Sequence, residues 1–324
     1  GIANYAKAGR TKRDVDEIAS MILDDLDKEE SVATTGVERF RVRASRADKS
    51  YYLTSPELER EVGGRVKQSK GWTVDLVNPD LEIRVEVLPE CVFYALNKET
   101  GQGGLPTGTS GPAMCLLSGG IDSPVAGFRL MKRGCRVHFV HFHAYPILSR
   151  TSQDKTKELA ELLAQYQLRS RLYTAPFGEL QQQVVVSAPP PLRVVLYRRL
   201  MMRIAERLAQ ESGAKALITG ESVGQVASQT LENLAVINEV VSLPVLRPLI
   251  GYDKEEITRE AIRLGSYSIS IIPDEDCCTL FTPKRPATKA RRADVERAES
   301  ALPITDMVEK VLALTERQDY EFPC

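Results

Sequence analysis

The sequence predicts an α/β protein in which a small α+β unit precedes a larger domain built on a parallel sheet with helices on both faces. Three observations carry this. Beyond residue 112, apolar strand-like runs alternate with helical patterns, the signature of parallel strands joined by crossover helices. The segment ETGQGGLPTGTSGP, residues 99–112, is too dense in Gly, Pro, Ser and Thr to form a regular element and reads as a junction. Before it, helical periodicity and strict alternation follow one another over short stretches.

The elements follow in order. Val15, Ile18, Ala19, Ile22, Leu23 and Leu26 recur at helical spacing, which predicts an amphipathic helix over 14–26. Phe40 and Val42 alternate with Arg39, Arg41 and Arg43, so one face of a strand is apolar and the other basic. Ser55, Pro56 and Glu57 read as an N-cap, a first-turn proline and the start of a helix running to about Val66. Strands at 73–77 and 81–87 flank an Asn78-Pro79 turn. Residues 39–70 hold nine Lys/Arg (39, 41, 43, 46, 49, 60, 65, 67, 70) against four acids (48, 57, 59, 61), making this the basic unit. Past the junction, strands are expected at 113–117, 136–142, 169–174, 214–219 and 244–247. Helices are expected at 124–133, about 152–165, 192–211, about 226–237 and 253–264, three of them stopped by Gly134, Gly213 and Gly265.

Composition narrows the function classes. With 324 residues, 27% of them charged, and a formal charge of -1, a nucleic-acid partner would be held by a local patch rather than a global field. Six cysteines (91, 115, 135, 277, 278, 324) without paired spacing fit a reducing, cytoplasmic setting, with catalytic or buried thiols rather than disulfides. No apolar run approaches the roughly 18 residues needed to span a bilayer, so no membrane association is expected. The chain begins at Gly1 without a methionine, as a fragment or processed chain does. His138, His141 and His143 alternate along one strand and are the chain's only histidines; a zinc site would need further ligands, so no metal site is assigned to them.

The stretch CLLSGGIDSPVAGF, residues 115–128, carries the chemistry. A strand ends at Ser118, two glycines bare the backbone, and a helix follows whose first N–H groups lack intrahelical partners. Taken alone, this serves either an anion or a tight strand-to-helix turn. It is not a Walker-type loop, because no Gly-Lys-Ser/Thr follows. The run SGGIDSPVA resembles instead the pyrophosphate loop of enzymes that split ATP between its α and β phosphates. In that pattern Ser118, Gly119, Gly120 and Ser123 hold the departing pyrophosphate, and Asp122 lies near phosphates and Mg²⁺.

The resemblance extends along the chain. VGG (62–64), GGLPTG (103–108), VHFHAYP (140–146), VLYRRLMMRIA (195–205), TGESVGQVASQTLENL (219–234), RPLIGYDKEEI (247–257) and DCCTLFTPKRPATK (276–289) all resemble the ThiI family, the tRNA 4-thiouridine synthetases. It implies a remnant of a ferredoxin-like domain at 1–10, a THUMP RNA-binding domain at 11–105 and a Rossmann-like pyrophosphatase-loop domain at 106–324, with no rhodanese domain. It also implies ATP-dependent adenylation of uridine 8 of a tRNA, with Mg²⁺, followed by displacement of AMP by a persulfide sulfur to give 4-thiouridine. ATP contacts then fall on Leu116, Leu117, His141, Phe142, Arg198, Gly220 and Gln229. Lys254 is implied as catalytic, and Cys278 as the thiol that accepts sulfur or resolves the persulfide, with Cys324 left open. Arg41, Arg43, Lys67, Lys284 and Arg285 are candidates for the phosphates of an acceptor stem. A cysteine desulfurase as sulfur donor and a homodimer are further implied, and thiazole synthesis for thiamine is linked in some members to the absent rhodanese domain. Two other readings compete: another pyrophosphate-loop enzyme, such as a 2-thiouridylase or amide-forming ligase, and a tRNA-binding module without catalysis. The block GESVGQVASQT argues against the first and intact Asp122 and Lys254 against the second.

Overall fold

The computed structural model describes residues 1–28, 36–274 and 280–323. It divides into two units, Ile2–Gly103 and Gly104–Cys324, with Gly1 attached to the second.

In the first unit, Asp14 accepts backbone N–H bonds from Asp16 and Glu17 at 3.0 Å and so caps helix α1 (Val15–Lys28). Helix α2 (Ser55–Lys70) is capped one residue earlier than the sequence implied. Thr54 is the N-cap, and the Glu57 carboxylate accepts from both its N–H and its hydroxyl at 2.7 Å. Strands β2 (Gly9–Thr11), β3 (Arg39–Arg46), β4 (Thr73–Val74), β5 (Leu81–Val87) and β6 (Val92–Ala95) form a sheet of order β2-β6-β5-β3-β4, with β3 parallel to β4 and β5. Phe40, Val42, Ile83 and Val85 meet Ile18 and Ile22 of α1 and Leu58, Val62 and Val66 of α2 in one core. Both helices thus lie on the apolar face, and the arginines of β3 line the other. The strand expected at 73–77 is only two residues long, because Asp75 turns the chain by accepting from the N–H groups of Val77 and Asn78 at 2.9 Å. A separate two-stranded ribbon pairs β1 (Asn4–Tyr5) with β7 (Glu99–Thr100).

The second unit carries strands β8 (Pro112–Leu116), β9 (Arg136–His143), β10 (Arg169–Pro176), β11 (Leu217–Ile218), β12 (Val245–Leu246) and β13 (Glu316–Glu321) in the order β12-β11-β8-β9-β10-β13. All neighbours are parallel except β13, an antiparallel edge strand against β10. Its sequence ERQDYE has too little apolar character to announce a strand. Helices α3 (Asp122–Lys132), α4 (Thr151–Ala164) and α8 (Lys254–Leu264) cover one face, packing Val125, Leu159 and Ile257 on Cys115, Val137 and Phe139. Helices α5 (Gly178–Ser187), α6 (Arg193–Ser212), α7 (Leu231–Asn238), α10 (Arg292–Glu299) and α11 (Ile304–Leu314) cover the other, over Met114, Val140 and Tyr173. The short α9 (Tyr267–Ser270) follows α8. The expected helix at 226–237 begins only at Leu231, where Thr230 caps it. Gly134, Gly213 and Gly265 have φ of 82°, 77° and 83°, the left-handed geometry that ends helices. Among the described residues no helix is long and apolar enough to cross a membrane.

The strand order sets the site. From β8 the chain steps to β9 and β10 on one side, then returns past β8 to β11 and β12 on the other. The loops after β8 and β11 therefore diverge at the carboxyl end of the sheet, where open α/β sheets leave a crevice.

Candidate active site

A cavity of about 170 Å³ occupies that crevice, lined by Leu116, Leu117, Ser118, Asp122, Ser123, His141, Phe142, Arg198, Gly220 and Gln229 among others. It is smaller than the roughly 300–1,000 Å³ of a full ligand cleft. It suits a nucleoside, with phosphates lying outside along the loop.

The loop is held by hydroxyls. Ser123 Oγ accepts from the Ser118 N–H at 2.9 Å and lies 3.0 Å from Ser118 Oγ, which in turn accepts from the Gly120 N–H at 3.3 Å. No side chain caps the N-terminus of α3, whose first residues Asp122 and Ser123 line the cavity. Gly119 has a different reason from the one the sequence suggested: a Cβ there would lie 2.9 Å from Asp274 Oδ2 and 3.4 Å from Lys155 Nζ, so its bareness admits these two side chains beneath the loop. Gly220 is bare because a Cβ would sit 2.8 Å from the backbone of Asp122 and Ser123. The end of β11 thereby closes on the start of α3.

Asp122 accepts from Lys254 Nζ at 2.7 Å and from Gln225 Nε2 at 3.0 Å. Lys254 opens α8, whose N-cap Asp253 and Glu256 form a reciprocal capping box. His141 is 3% exposed, with Nδ1 3.0 Å from the Leu117 carbonyl, so the imidazole spans two strand ends. Gln229 is 7% exposed and lines the cavity, and its Oε1 has no hydrogen-bond partner among the described residues. A buried amide oxygen left unpaired is costly, and an amino group of a nucleobase would satisfy it. The residues present therefore fit ATP.

Several polar residues here were not singled out by the sequence. Glu221, 3% exposed, accepts from Thr219 Oγ1 and Arg247 Nε at 2.8 Å and from Arg198 Nη1 at 3.4 Å, and so orients Arg198. Lys155, also 3% exposed, donates to the Ser270 and Ile272 carbonyls and to Asp274 at 3.0, 2.7 and 2.9 Å. Glu221 and Thr219 lie inside the TGES motif. Lys155 had one signal: it sits one and two turns before the buried Leu159 and Leu163, on the apolar face of α4.

Of the thiols, Cys91, Cys115 and Cys135 are buried, and burial pushes Cys115 up to about 12, which makes it inert. Cys277, Cys278 and Cys324 lie outside the described residues. In the first unit the basic candidates Arg41, Arg43 and Lys67 do not share one face. Arg41 is engaged by Glu82, with Nε 2.6 Å from Oε2, while Arg43 is exposed and makes no ion pair among the described residues. Lys67 is exposed on α2, the layer on the other side of the sheet. Much of the local positive excess is neutralised by acids outside the 39–70 window: Asp80 pairs with Arg39, Asp16 with Arg65 and Asp27 with Lys70. Lys284 and Arg285 are exposed in a segment pinned by the fully buried Asn233, whose side chain donates to the Ala287 carbonyl and accepts from the Ala290 N–H.

A glycine loop, an uncapped helix N-terminus and a nucleoside-sized cavity at the switch point of a parallel sheet define a nucleotide-binding α/β domain. The chain belongs to the ThiI family: residues 108–304 match the model of the thiamine biosynthesis protein ThiI, and residues 12–95 match the THUMP domain. A probable tRNA sulfurtransferase of Thermus thermophilus is 49% identical over 98% of this chain and 76% of its own length. One of Alkaliphilus metalliredigens is 44% identical over 96% and 79%. Among solved structures, a 4-thiouridine synthetase in complex with RNA and bound ATP is 37% identical, with a TM-score of 0.91 over 99% of this chain and 84% of its own.

Proposed function

We propose that the protein is an ATP-dependent tRNA sulfurtransferase that makes 4-thiouridine at uridine 8, and that the cavity at the switch point is its adenylation site. The observation that carries this reading is the similarity to the ATP-bound 4-thiouridine synthetase–RNA complex across nearly the whole chain. Gln229, His141 and the ends of β8 and β9 would bind the nucleoside. Ser118, Ser123, Gly120 and the N-terminus of α3 would hold the pyrophosphate that leaves when uracil O4 attacks the α-phosphate. Asp122 would hold Mg²⁺ together with the phosphates, the metal supplying charge neutralisation. Lys254 and Arg198 add positive charge where it develops on the α-phosphate.

Adenylation converts a poor leaving group into AMP. A persulfide sulfur then bonds to C4 as AMP departs, and a second thiol cleaves the S–S bond, leaving the outer sulfur on the base. Cys278 is our candidate for accepting or resolving that sulfur, fed by a cysteine desulfurase; a homodimer and a cytoplasmic setting belong to the same reading. Arg43, Lys284 and Arg285 would contact tRNA phosphates.

The experiment incubates the protein with unmodified tRNA, ATP, Mg²⁺ and a sulfide or persulfide source, and measures AMP and 4-thiouridine. Absence of AMP with any tRNA overturns the enzyme reading, and AMP with an amide product favours a ligase. Undiminished thiolation by Cys278→Ser removes that cysteine.

A further inference from the structure

A second cavity, of about 640 Å³, opens at the opposite end of the same sheet, among the amino ends of β8, β9 and β10. The sheet face that carries Met114, Val140 and Tyr173 under the helices is bare here, because α6 stops at Ser212 on the cavity's wall. What remains is a cross-strand ladder of charge. Arg136 stands opposite Pro112, His138 opposite Met114, Arg171 opposite Asp319 and Arg169 opposite Glu321. Leu172 pairs with Phe139, which puts Arg171 beside His138.

The ladder is unevenly paired. Arg169 is held by Glu321 at 2.6 Å, but Arg171 reaches Asp319 only at 3.4 Å, and Asp319 is shared with Arg317. Arg136 is exposed and makes no ion pair or side-chain hydrogen bond among the described residues. Between them His138 is 6% exposed, with Nδ1 buried and without a hydrogen-bond partner among the described residues. Burial, then the charges of Arg171 and Arg136, press its pKa down to about 4, so the ring is neutral at pH 7. Arg136, exposed and without an ion pair among the described residues, and Arg171, paired only at 3.4 Å, leave guanidinium donors on the cavity wall that an incoming group with several acceptor oxygens can take.

We propose that this cavity binds a phosphate group, gripped by Arg136 and Arg171 beside the His138 ring. Asp319 and Glu321 repel an anion from the β13 side and confine it to β9 and β10. The volume leaves room for the attached nucleoside, so the ligand is a nucleotide, free or within an RNA strand. The site is separated from the proposed adenylation cavity by the length of the strands, and the inference does not depend on the reaction there.

The test reads the His138 imidazole by ¹⁵N NMR in the full chain, assigned against His138→Gln, while inorganic phosphate, AMP and unmodified tRNA are added in turn. Phosphate is expected to shift the His138 signals saturably and to raise its pKa, since a nearby anion favours imidazolium. Arg136→Gln, a substitution at an exposed residue, is expected to abolish the response while leaving AMP release from ATP at saturating tRNA unchanged. A response to AMP alone identifies a free nucleotide. A response to tRNA, with the salt slope of binding reduced by about 1 in Arg136→Gln, identifies RNA backbone. No response at phosphate concentrations that saturate the pyrophosphate loop, or a response that survives Arg136→Gln, overturns the proposal.

Discussion

Replacing Lys155 by Met asks how much the strut beneath the pyrophosphate loop contributes. Methionine keeps the side chain's length and apolar stem but removes three donated hydrogen bonds, of 2.7 to 3.0 Å. It leaves two backbone carbonyls and the Asp274 carboxylate without a donor. Breaking one partner of a buried pair costs about 3–5 kcal/mol. Asp274 keeps 16% side-chain exposure against 3% for Lys155, so water reaches the orphaned carboxylate and the lower end applies. A loss of about 3 kcal/mol lowers Tm by roughly 6–12 °C for a unit of this size. Calorimetry and urea titration would measure it. The double variant Lys155→Met with Asp274→Leu is expected to regain half of the loss or more, because the unpaired charge is gone. Because Gly119 rests on this pair, Lys155→Met should also raise the KM for ATP. A loss under about 1 kcal/mol, or no recovery in the double variant, refutes the reasoning.

Other outcomes follow from the same geometry. Gly220→Ala pushes a methyl against backbone 2.8 Å away and should cost on the order of 1–3 kcal/mol while raising the KM for ATP, measured by AMP release. Burial alone would raise the Glu299 carboxyl, but hydrogen bonds from Arg199 and Arg203 outweigh it and hold it down to about 2. With the unfolded value near 4.5, this contributes on the order of 3 kcal/mol, present above pH 4.5 and lost as the pH falls towards 2. Glu299→Gln should flatten that part of the acid-unfolding profile. His138 has the opposite sign. Its folded pKa of about 4 lies below the unfolded 6.5, so the unfolded chain takes up the proton first and stability drops as pH falls from 6.5 towards 4. His138→Gln should reduce the slope between pH 7 and 5, where few carboxylates titrate, leaving the part due to His143, whose pKa burial also lowers. Asp122→Asn should change stability by less than about 1 kcal/mol, since the Lys254 end of its pair is half exposed, yet suppress AMP formation.

The sequence carried the strongly periodic elements and lost those defined by pairing. α1, α2, β5, α6 and α8 each bury a stripe or alternate face that the residue pattern displays. β13 and β2 are edge strands whose polar residues reveal nothing until a neighbour is known. The basic patch is weaker in the fold than in the sequence for a related reason: a window of 39–70 cannot register Asp16, Asp27 and Asp80, which arrive from elsewhere in the fold. In the site, motif residues at strand ends were legible because parallel strands present their carboxyl ends together. The contact of Lys254 with Asp122, 132 positions apart, was not. Glu221 was passed over because a glutamate inside a loop motif reads as solvated, whereas here Thr219, Arg198 and Arg247 surround it.

The Asp122–Lys254 pair explains a misfit visible in the sequence. A lysine in the first turn of a helix faces the positive end of the dipole and gains nothing from it. Lys254 opens α8 and Asp122 opens α3, so two helix N-termini converge where these side chains meet. Asp122 is the favourable partner of both dipoles, and it offsets the lysine that would otherwise be repelled. With the carboxylate in place the convergence is locally balanced; an arriving triphosphate brings more negative charge than Asp122 holds, and Lys254 and both helix ends can turn to it. The aspartate would then be released to a cation carried by the phosphates. On the proposed function, that exchange would account for an acid beside the phosphates, and Asp122 would be a residue whose loss alters the reaction more than the fold.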